Sequence, residues 1–138
     1  MCEIGDIIEI KSYKHDPNVL HQHPFIIIDD NNGTIKGLDF NLITVVMSSV
    51  KNEEQKNWKL SKYPSNMGIN IDDKNITEPK YKNKNGYVKT EQFYYFNKEK
   101  IKYRLVGSVT SEYLNELYDF IEGLENKGIS IDQIVDNL

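Results

Sequence analysis

Apolar residues in the first hundred positions occur in short runs separated by polar turns, which is the pattern of β-strands. The earliest run, residues 5–10, predicts a first strand with Ile8 and Ile10 on one face and Glu9 on the other. Residues 12–22 are mostly polar, so we expect a loop there.

Two longer apolar runs predict a pair of strands. The first, residues 24–30, contains the uninterrupted stretch Phe25–Ile28, which indicates burial on both faces. Asn31-Asn32-Gly33 follows as a hairpin signal, because its residues tolerate positive φ. The second run, residues 35–47, is strongly β-prone toward its end and contains Gly37, at which we expect a bulge or bend.

The middle of the chain carries weaker strand signals. Residues 57–60 predict a short strand with Trp58 and Leu60 facing inward. Residues 61–85 contain two prolines and few apolar residues, so we expect an irregular segment, and one of this length is usually functional or mobile. Residues 86–96 and 101–109 return to strand patterns.

Helical spacing replaces the strand pattern near the end of the chain. Thr110 or Ser111 supplies a capping hydroxyl for a helix, and residues 126–128 end that helix at a glycine. Residues 130–138 predict a short second helix with a cap at Ser130. The apolar residues that recur in the first helix are Tyr113, Leu114, Leu117, Tyr118, Ile121 and Leu124.

This order of elements, about six strands followed by helices, predicts a mainly β protein of the α+β class. An antiparallel sheet of this size closes naturally into a small curled barrel, with the helix packed on one end or edge. A length of 138 residues predicts a single domain, residues 1–138, because no linker or internal repeat divides the chain.

Composition favours a cytoplasmic protein. Hydrophobic residues make up 38% and charged residues 28% of the chain, as in ordinary globular proteins. No apolar run approaches the roughly 20 residues of a membrane span, and the first residues lack the basic and apolar regions of a secretory signal. Cys2 is the only cysteine, which excludes a disulfide framework and a thiolate metal site.

Charge is distributed unevenly, although the formal total is only −4. The net charge is −4 over residues 1–50, +6 over residues 51–104 and −6 over residues 105–138. A basic middle segment can bind phosphate groups locally. The alternative is a lysine-rich solvated surface, because Lys outnumbers Arg sixteen to one and an arginine-based recognition surface would hold more Arg.

Five short motifs follow one another along the chain. They are Gly5-Asp6-Ile7, His23-Pro24 with the apolar strand after it, Val45-Val46-Met47-Ser48, Gly86 with Val88 and Gln92, and Val106-Gly107-Ser108-Val109 before the amphipathic helix. In this order they resemble the motifs of the MazF/PemK-type toxins of bacterial toxin–antitoxin systems. The resemblance covers about residues 5–125 and leaves residues 126–138 as a short helical extension.

Membership of that family implies an SH3-like antiparallel barrel of the MazF/PemK/CcdB type with a C-terminal helix, usually in a homodimer. It implies a toxin that cuts single-stranded RNA without a metal or other cofactor. It also implies inhibition by a cognate antitoxin, which is a protein or an RNA. In such cleavage the 2′-hydroxyl of the RNA attacks the adjacent phosphate.

The chain departs from the family pattern at two positions. His23 stands where the family has an arginine, which replaces a permanent fork of donors with a titrating imidazole. Ser48 stands where the family has a threonine and keeps the hydroxyl. Ser48-Ser49-Val50-Lys51 is also similar to the Thr-Ser-x-Lys segment of the ToxN/AbiQ endoribonucleases, in which the hydroxyls and the lysine serve the active site. Lys51 would then restore a fixed positive charge.

These residues indicate how RNA cleavage would proceed. Histidine has an ordinary pKa near neutrality, so His23 suits the role of base or acid, and Lys51 would stabilise the charge that develops on the phosphate. Ser48 and Ser49 would hold phosphate oxygens. His21 shares a face with His23 in an extended chain and would be a second proton carrier. The residues expected to contact RNA are His21, Lys80, Lys82, Lys84 and Gln92.

Two other classes of function fit the same sequence. A barrel without the family arginine would be a catalytically inactive module that binds nucleic acid or a protein. Alternatively, the acidic C-terminal helices would dock a partner. Ordinary structural roles are also open, with His23 and Lys51 on a solvated surface and Ser48 at a strand end. A metal site at His21-Gln22-His23 is disfavoured, because no acidic third ligand has a recognisable spacing.

Overall fold

Ten β-strands and two α-helices form the part of the chain that the computed structural model describes, residues 2–11 and 23–138. The protein is mainly β and contains helices, as predicted. Two short 3₁₀ turns lie at Ile71–Asp73 and Pro79–Tyr81. The strands are β1 (Asp6–Ile10), β2 (Phe25–Asp29), β3 (Gly33–Ile35), β4 (Leu38–Phe40), β5 (Leu42–Ser49), β6 (Asn66–Ile69), β7 (Lys74–Ile76), β8 (Gly86–Phe96), β9 (Tyr103–Val109) and β10 (Asp132–Ile134), and the helices are α1 (Glu53–Lys62) and α2 (Ser111–Asn126).

Eight of the strands form one sheet in the order β10–β8–β5–β2–β1–β9–β7, with β6 also paired with β8. Every pairing in this sheet is antiparallel except that of β10, which runs parallel to β8. β3 and β4 form a separate antiparallel hairpin. The long strand β8 therefore has β5 along one side and the short strands β6 and β10 along the other.

A short connection makes this sheet curl. β6 and β7 lie at opposite edges of the sheet, and residues 70–73 join them. Five residue steps, from Ile69 to Lys74, span at most about 18 Å. Six strand spacings would separate the edges of a flat sheet by about 29 Å. The sheet therefore curves until its edges approach each other, which gives a small barrel-like fold.

The curled sheet buries apolar side chains on both of its faces. Ile26 and Ile28 belong to one hydrophobic cluster, whereas Phe25 and Ile27 belong to another. This alternation confirms the two-sided burial predicted for the second strand. Helix α2 contributes three buried residues to the first cluster, Tyr113, Leu117 and Ile121.

Helix α2 begins and ends where the sequence predicts. The Thr110 hydroxyl caps it by accepting a hydrogen bond from the Tyr113 amide at 3.1 Å. At the other end Gly128 adopts a positive φ of 77°. Two backbone hydrogen bonds of the Schellman type close the helix there and turn the chain back toward the sheet.

Residues 57–60 form part of a helix, so the predicted strand is wrong. They lie in α1, which begins after Asn52, whose side chain accepts a hydrogen bond from the Gln55 amide at 2.8 Å. Acidic residues in the first turn and lysines in the last turn favour the helix dipole. Few apolar residues mark the helical spacing, and Trp58 is 50% exposed and does not face inward.

The helical extension predicted for residues 126–138, including a helix over 130–138, is also wrong. After α2 the chain forms β10, which pairs with β8. The Gln133 amide donates a hydrogen bond to the Tyr95 hydroxyl at 3.1 Å, and Ile134 packs against the second hydrophobic cluster. Pairing with a distant strand overrides the local helical signal.

The predicted strand over residues 35–47 is divided. Its first part completes the β3–β4 hairpin around Lys36 and Gly37, both of which have positive φ. The hairpin turn therefore lies there and not at residues 31–33. The rest forms most of β5, which pairs antiparallel with β2 as expected. Residues 61–85 hold more regular structure than predicted, because β6 and β7 pair with β8 and β9.

The Glu9 carboxylate on β1 ties the 3₁₀ turn Pro79–Tyr81 to the sheet. It accepts hydrogen bonds from the Tyr81 hydroxyl, from Lys80 Nζ at 2.7 Å and from the Arg104 guanidinium of β9 at 2.9 Å. Burial alone would raise the pKa of Glu9. The hydrogen bonds and positive charges of its partners outweigh burial and lower that pKa to about 2.

Glu9→Gln should lower the free energy of unfolding at pH 7 by on the order of 1 to 2 kcal/mol, because solvent screens the exposed partners in part. The native pKa lies below the ordinary value of 4.5. The stabilisation is therefore present above that value and is lost as the pH falls toward 2. Urea unfolding from pH 7 to pH 3 measures this, with Glu122→Gln on the exposed face of α2 as the control. A difference that stays constant down to pH 3 would contradict the prediction.

Candidate functional site

The last residues of β5, which carry hydroxyl groups, lie beside the start of β8. Ser48 and Ser49 are the last two residues of β5, and they pair with Tyr87 and Gly86, the first two of β8. Ser48 is half-buried and Ser49 is exposed. β5 therefore brings two neighbouring hydroxyl groups to the point where the chain leaves the sheet.

A cleft of about 560 Å³ opens at this point. Residues 49–53 form one wall, and residues 83–85 form the other. Lys51 belongs to the first wall and Lys84 to the second, so a positively charged residue stands on each side. The Gln55 side chain of α1 holds the first wall by accepting a hydrogen bond from the Lys51 amide at 2.7 Å.

A narrow pocket adjoins the cleft and shares Ser49 and Lys84 with it. Its free volume is about 10 Å³, which leaves room for about one water molecule. The pocket is lined by Pro24, Met47, Ser48, Ser49, Lys74, Tyr81 and Lys84. A hydroxyl residue of β5 and a lysine of β7 therefore meet in the wall of one small cavity.

Lys74 is the buried lysine of this pocket, and only 8% of its surface is exposed. Its Nζ donates a hydrogen bond to the Lys84 carbonyl at 2.7 Å. Burial lowers the pKa of Lys74 to about 8, the carboxylate of Asp73 opposes this, and the positive charge of Lys56 adds to it. A lysine with a pKa of about 8 can exchange a proton near neutral pH.

Lys74 could not be predicted from the sequence, because no local motif separates it from the other lysines of the basic middle segment. Its burial follows from the pairing of β7 with β9, in which Lys74 lies opposite Val109. Gly107 allows this approach, since a Cβ atom there would lie 2.4 Å from the Asn75 carbonyl oxygen. Alternation of inward and outward positions along β7 is the signal that could have predicted the burial of Lys74. The strand has only three residues, which are too few to establish such an alternation.

A third depression, of about 310 Å³, shares Lys74 with the narrow pocket and Asn83 with the cleft. Lys82 lies in its wall. Three adjoining depressions are therefore lined by four lysines, Lys51, Lys74, Lys82 and Lys84. Such a concentration of positive charge attracts anionic groups.

The residues expected to be catalytic lie at or next to these depressions. Ser48, Ser49 and Lys51 line the cleft or the narrow pocket. His23 is half-buried and directly precedes Pro24, which lines the narrow pocket. The site therefore joins the segment before β2 to the segment after β5.

The residues expected to contact RNA divide between this site and other places. Lys82 and Lys84 line the depressions, whereas Lys80 lies in the ion pair with Glu9.

Gln92 does not lie at these depressions. Gln92 lies six residues along β8 from Gly86, which is about 20 Å in an extended strand. Its side chain accepts a hydrogen bond from the Tyr94 hydroxyl at 2.8 Å. His21 lies outside the described residues.

Comparison with protein-family models, with curated proteins and with solved structures gives no match for this chain. Within residues 2–11 and 23–138, no group of three or more His, Cys, Asp or Glu side chains is arranged to hold a metal ion. In that same part of the chain, neither helix has the length and hydrophobicity required to cross a membrane.

Lys74→Met should remove a pH-dependent part of the stability. The native pKa of about 8 lies below the ordinary value of 10.5. Below pH 8 both folded and unfolded states carry the charge, so the cost of burying it is fully present. Between these two values the folded state loses its proton first, and the free energy of unfolding of the wild type should rise relative to Lys74→Met by on the order of 1 to 2 kcal/mol.

Urea unfolding of both proteins at pH 7 and pH 10 measures this difference. Lys100→Met, in the exposed turn between β8 and β9, is the matched control and should track the wild type. If Lys74→Met also tracks the wild type across this range, the Lys74 amine is solvated and not buried.

Gly86 allows β5 to lie close to β8 at the cleft. A Cβ atom on residue 86 would lie 2.1 Å from the Ser48 carbonyl oxygen. Gly86→Ala should force the end of β5 away and lower the free energy of unfolding by about 1 to 3 kcal/mol. Gly123→Ala is the opposite control, because open space surrounds that position in α2 and alanine favours a helix. Thermal unfolding measures both, and a neutral Gly86→Ala would contradict the close approach.

Proposed function

We propose that this chain is an endoribonuclease that cleaves single-stranded RNA by transphosphorylation. One observation carries the proposal: Ser48 and the buried Lys74 line the narrow pocket, and the exposed Lys51 and Lys84 line the cleft that adjoins it. The proposed biological role is that of a toxin in a toxin–antitoxin system. That role, the SH3-like type of barrel, the homodimer and the antitoxin are inferred from the resemblance to the MazF/PemK-type toxins.

A phosphodiester is the group that suits this cleft best. Lys51 and Lys84 both line the cleft, so a phosphate bound there is attracted by two positive charges. The exposed hydroxyl of Ser49 is a further donor for a phosphate oxygen. The half-buried Ser48 would orient the same phosphate from the side of the narrow pocket.

The proposed reaction uses groups that the RNA itself carries. The 2′-oxygen of one nucleotide bonds to the adjacent phosphorus, and the bond from phosphorus to the 5′-oxygen of the next nucleotide breaks. A base accepts the proton of the 2′-hydroxyl, and an acid donates a proton to the departing 5′-oxygen. The products are a 2′,3′-cyclic phosphate and a free 5′-hydroxyl, so the step consumes no further reactant.

Lys74 and His23 are the proposed proton carriers. With a pKa of about 8, roughly a tenth of the Lys74 amine is unprotonated at pH 7 and able to accept the 2′-hydroxyl proton. The amine can donate to the Lys84 carbonyl in either protonation state, so it keeps its position during transfer. His23 would supply the proton to the 5′-oxygen. Lys51 and the Lys84 ammonium would stabilise the charge on phosphorus.

The purified protein should cut a mixed-sequence single-stranded RNA into fragments with cyclic phosphate ends, and EDTA should not prevent it. Lys74→Met and His23→Ala should each slow cleavage at least about 100-fold, because each removes a proton carrier. Lys51→Ala should slow it by about 100-fold through lost charge stabilisation. Lys100→Ala, at the far end of β8, is the matched lysine control and should cleave at the wild-type rate.

Three outcomes separate the alternatives. A folded wild-type protein that binds RNA but never cuts it would favour the catalytically inactive binding module. Cleavage that is unchanged in both His23→Ala and Lys51→Ala would show that the active groups lie elsewhere. Growth that continues when a cleaving protein is induced in cells would contradict the toxin role.

A further inference from the structure

The solvent-exposed side of α1 carries an aromatic pair that neither hydrophobic cluster includes. Trp58 is 50% exposed and Tyr63 is 41% exposed, and Trp58 is the only tryptophan of the chain. Their rings meet edge to face, with centroids 6.4 Å apart. Large flat rings therefore lie at the surface, where packing within the fold does not account for them.

Two lysines flank these rings. Lys62 Nζ lies 4.6 Å from the centroid of the Trp58 ring and 5.8 Å from that of Tyr63. Lys59 Nζ lies 5.2 Å and 6.0 Å from the same two centroids. Cation–π attraction holds both ammonium groups near the rings. We call Trp58, Lys59, Lys62 and Tyr63 together the aromatic–lysine patch.

The aromatic–lysine patch lies a short distance from the cleft. Glu53, the first residue of α1, lines the cleft, and Trp58 follows five residues later, with an axial rise of about 7.5 Å and a turn of about 140° around the helix axis. Glu53 and Glu54 occupy the end of α1 nearest the cleft. The positive charge of the exposed helix surface is therefore concentrated at the patch, which a strand leaving the cleft would reach by passing partly around α1.

We propose that the aromatic–lysine patch binds single-stranded RNA next to the cleaved phosphate, with a base stacked on Trp58 or Tyr63 and phosphates held by the two lysines. This inference rests on the proposed function, because it extends the same RNA beyond the cleft. Every base has a π face, so stacking tolerates any sequence. A base that displaces an ammonium group from a ring leaves that group free for a phosphate. The two lysines disfavour a protein partner, because lysine is depleted at protein–protein interfaces even though aromatic residues are enriched there.

Titration with a 2′-O-methyl 12-mer, which cannot be cleaved by this reaction, tests the patch directly. Trp58 is the only tryptophan, so a base stacked on its ring should quench the intrinsic tryptophan fluorescence of the wild-type protein. Trp58→Ala should weaken binding about tenfold, the loss expected from one stacked base. Trp58→Phe keeps a π face and should stay within about threefold of the wild type.

Salt dependence separates stacking from charge. Lys59→Gln combined with Lys62→Gln should make the slope of log K against log salt less steep by about 1.4, which is two phosphate contacts on a single strand. Trp58→Ala should weaken binding without changing that slope. In cleavage of an unmodified 12-mer, Trp58→Ala should raise KM about tenfold and leave kcat within twofold.

Two results would overturn the patch while leaving the proposed nuclease intact. One is binding and cleavage by Trp58→Ala equal to the wild type, with no quenching. The other is a self-associated wild type that becomes monomeric on Trp58→Ala with unchanged oligonucleotide affinity, which would make the patch a protein contact. Failure of the proposed function is distinct, since the wild type would then cut no RNA even where quenching and the loss on Trp58→Ala are observed.

Discussion

The candidate site depends on the four residues that join β6 to β7. In a flat sheet β5 and β7 would lie four strand spacings apart, about 19 Å. The short connection curls the sheet, and Ser48 of β5 and Lys74 of β7 then line one pocket of about 10 Å³. Lys74 is also the first residue after the connection. The constraint that curls the sheet therefore also assembles the site and buries its lysine.

Hydrogen bonds at both ends hold the wall of the cleft on this curled sheet. The Glu9 network fixes the turn that precedes the wall, and the amine of Lys74 binds the Lys84 carbonyl within it. The Asn85 side chain accepts a hydrogen bond from the Ile71 amide at 2.9 Å, which ties the wall to the β6–β7 connection. These hydrogen bonds fix the backbone of the wall, from which Lys84 extends into the cleft.

Local signals predicted the elements whose stability is local or strongly patterned. Apolar runs located β1, β2, β8 and β9, and a capping threonine located α2. Local signals did not predict β10 and β7, because these strands form by pairing with strands that are distant in the sequence. α1 was missed because its inward side buries Lys56 and part of Leu60 and has little apolar periodicity, although Asn52 and Gln55 carry a capping signal. The same division applies to the site: the contiguous Ser48–Lys51 segment was visible in the sequence, whereas a lysine supplied by another strand was not.

Two short strands, and not one long strand, pair with the outer edge of β8. β8 is an 11-residue strand, and β6 and β10 cover separate parts of its outer edge. An uncovered edge offers free N–H and C=O groups to strands of other molecules. Loss of β10 by proteolysis or truncation would open the edge at Gln92–Tyr94. β10 therefore occupies a stretch of edge that would otherwise be able to pair with strands of other molecules.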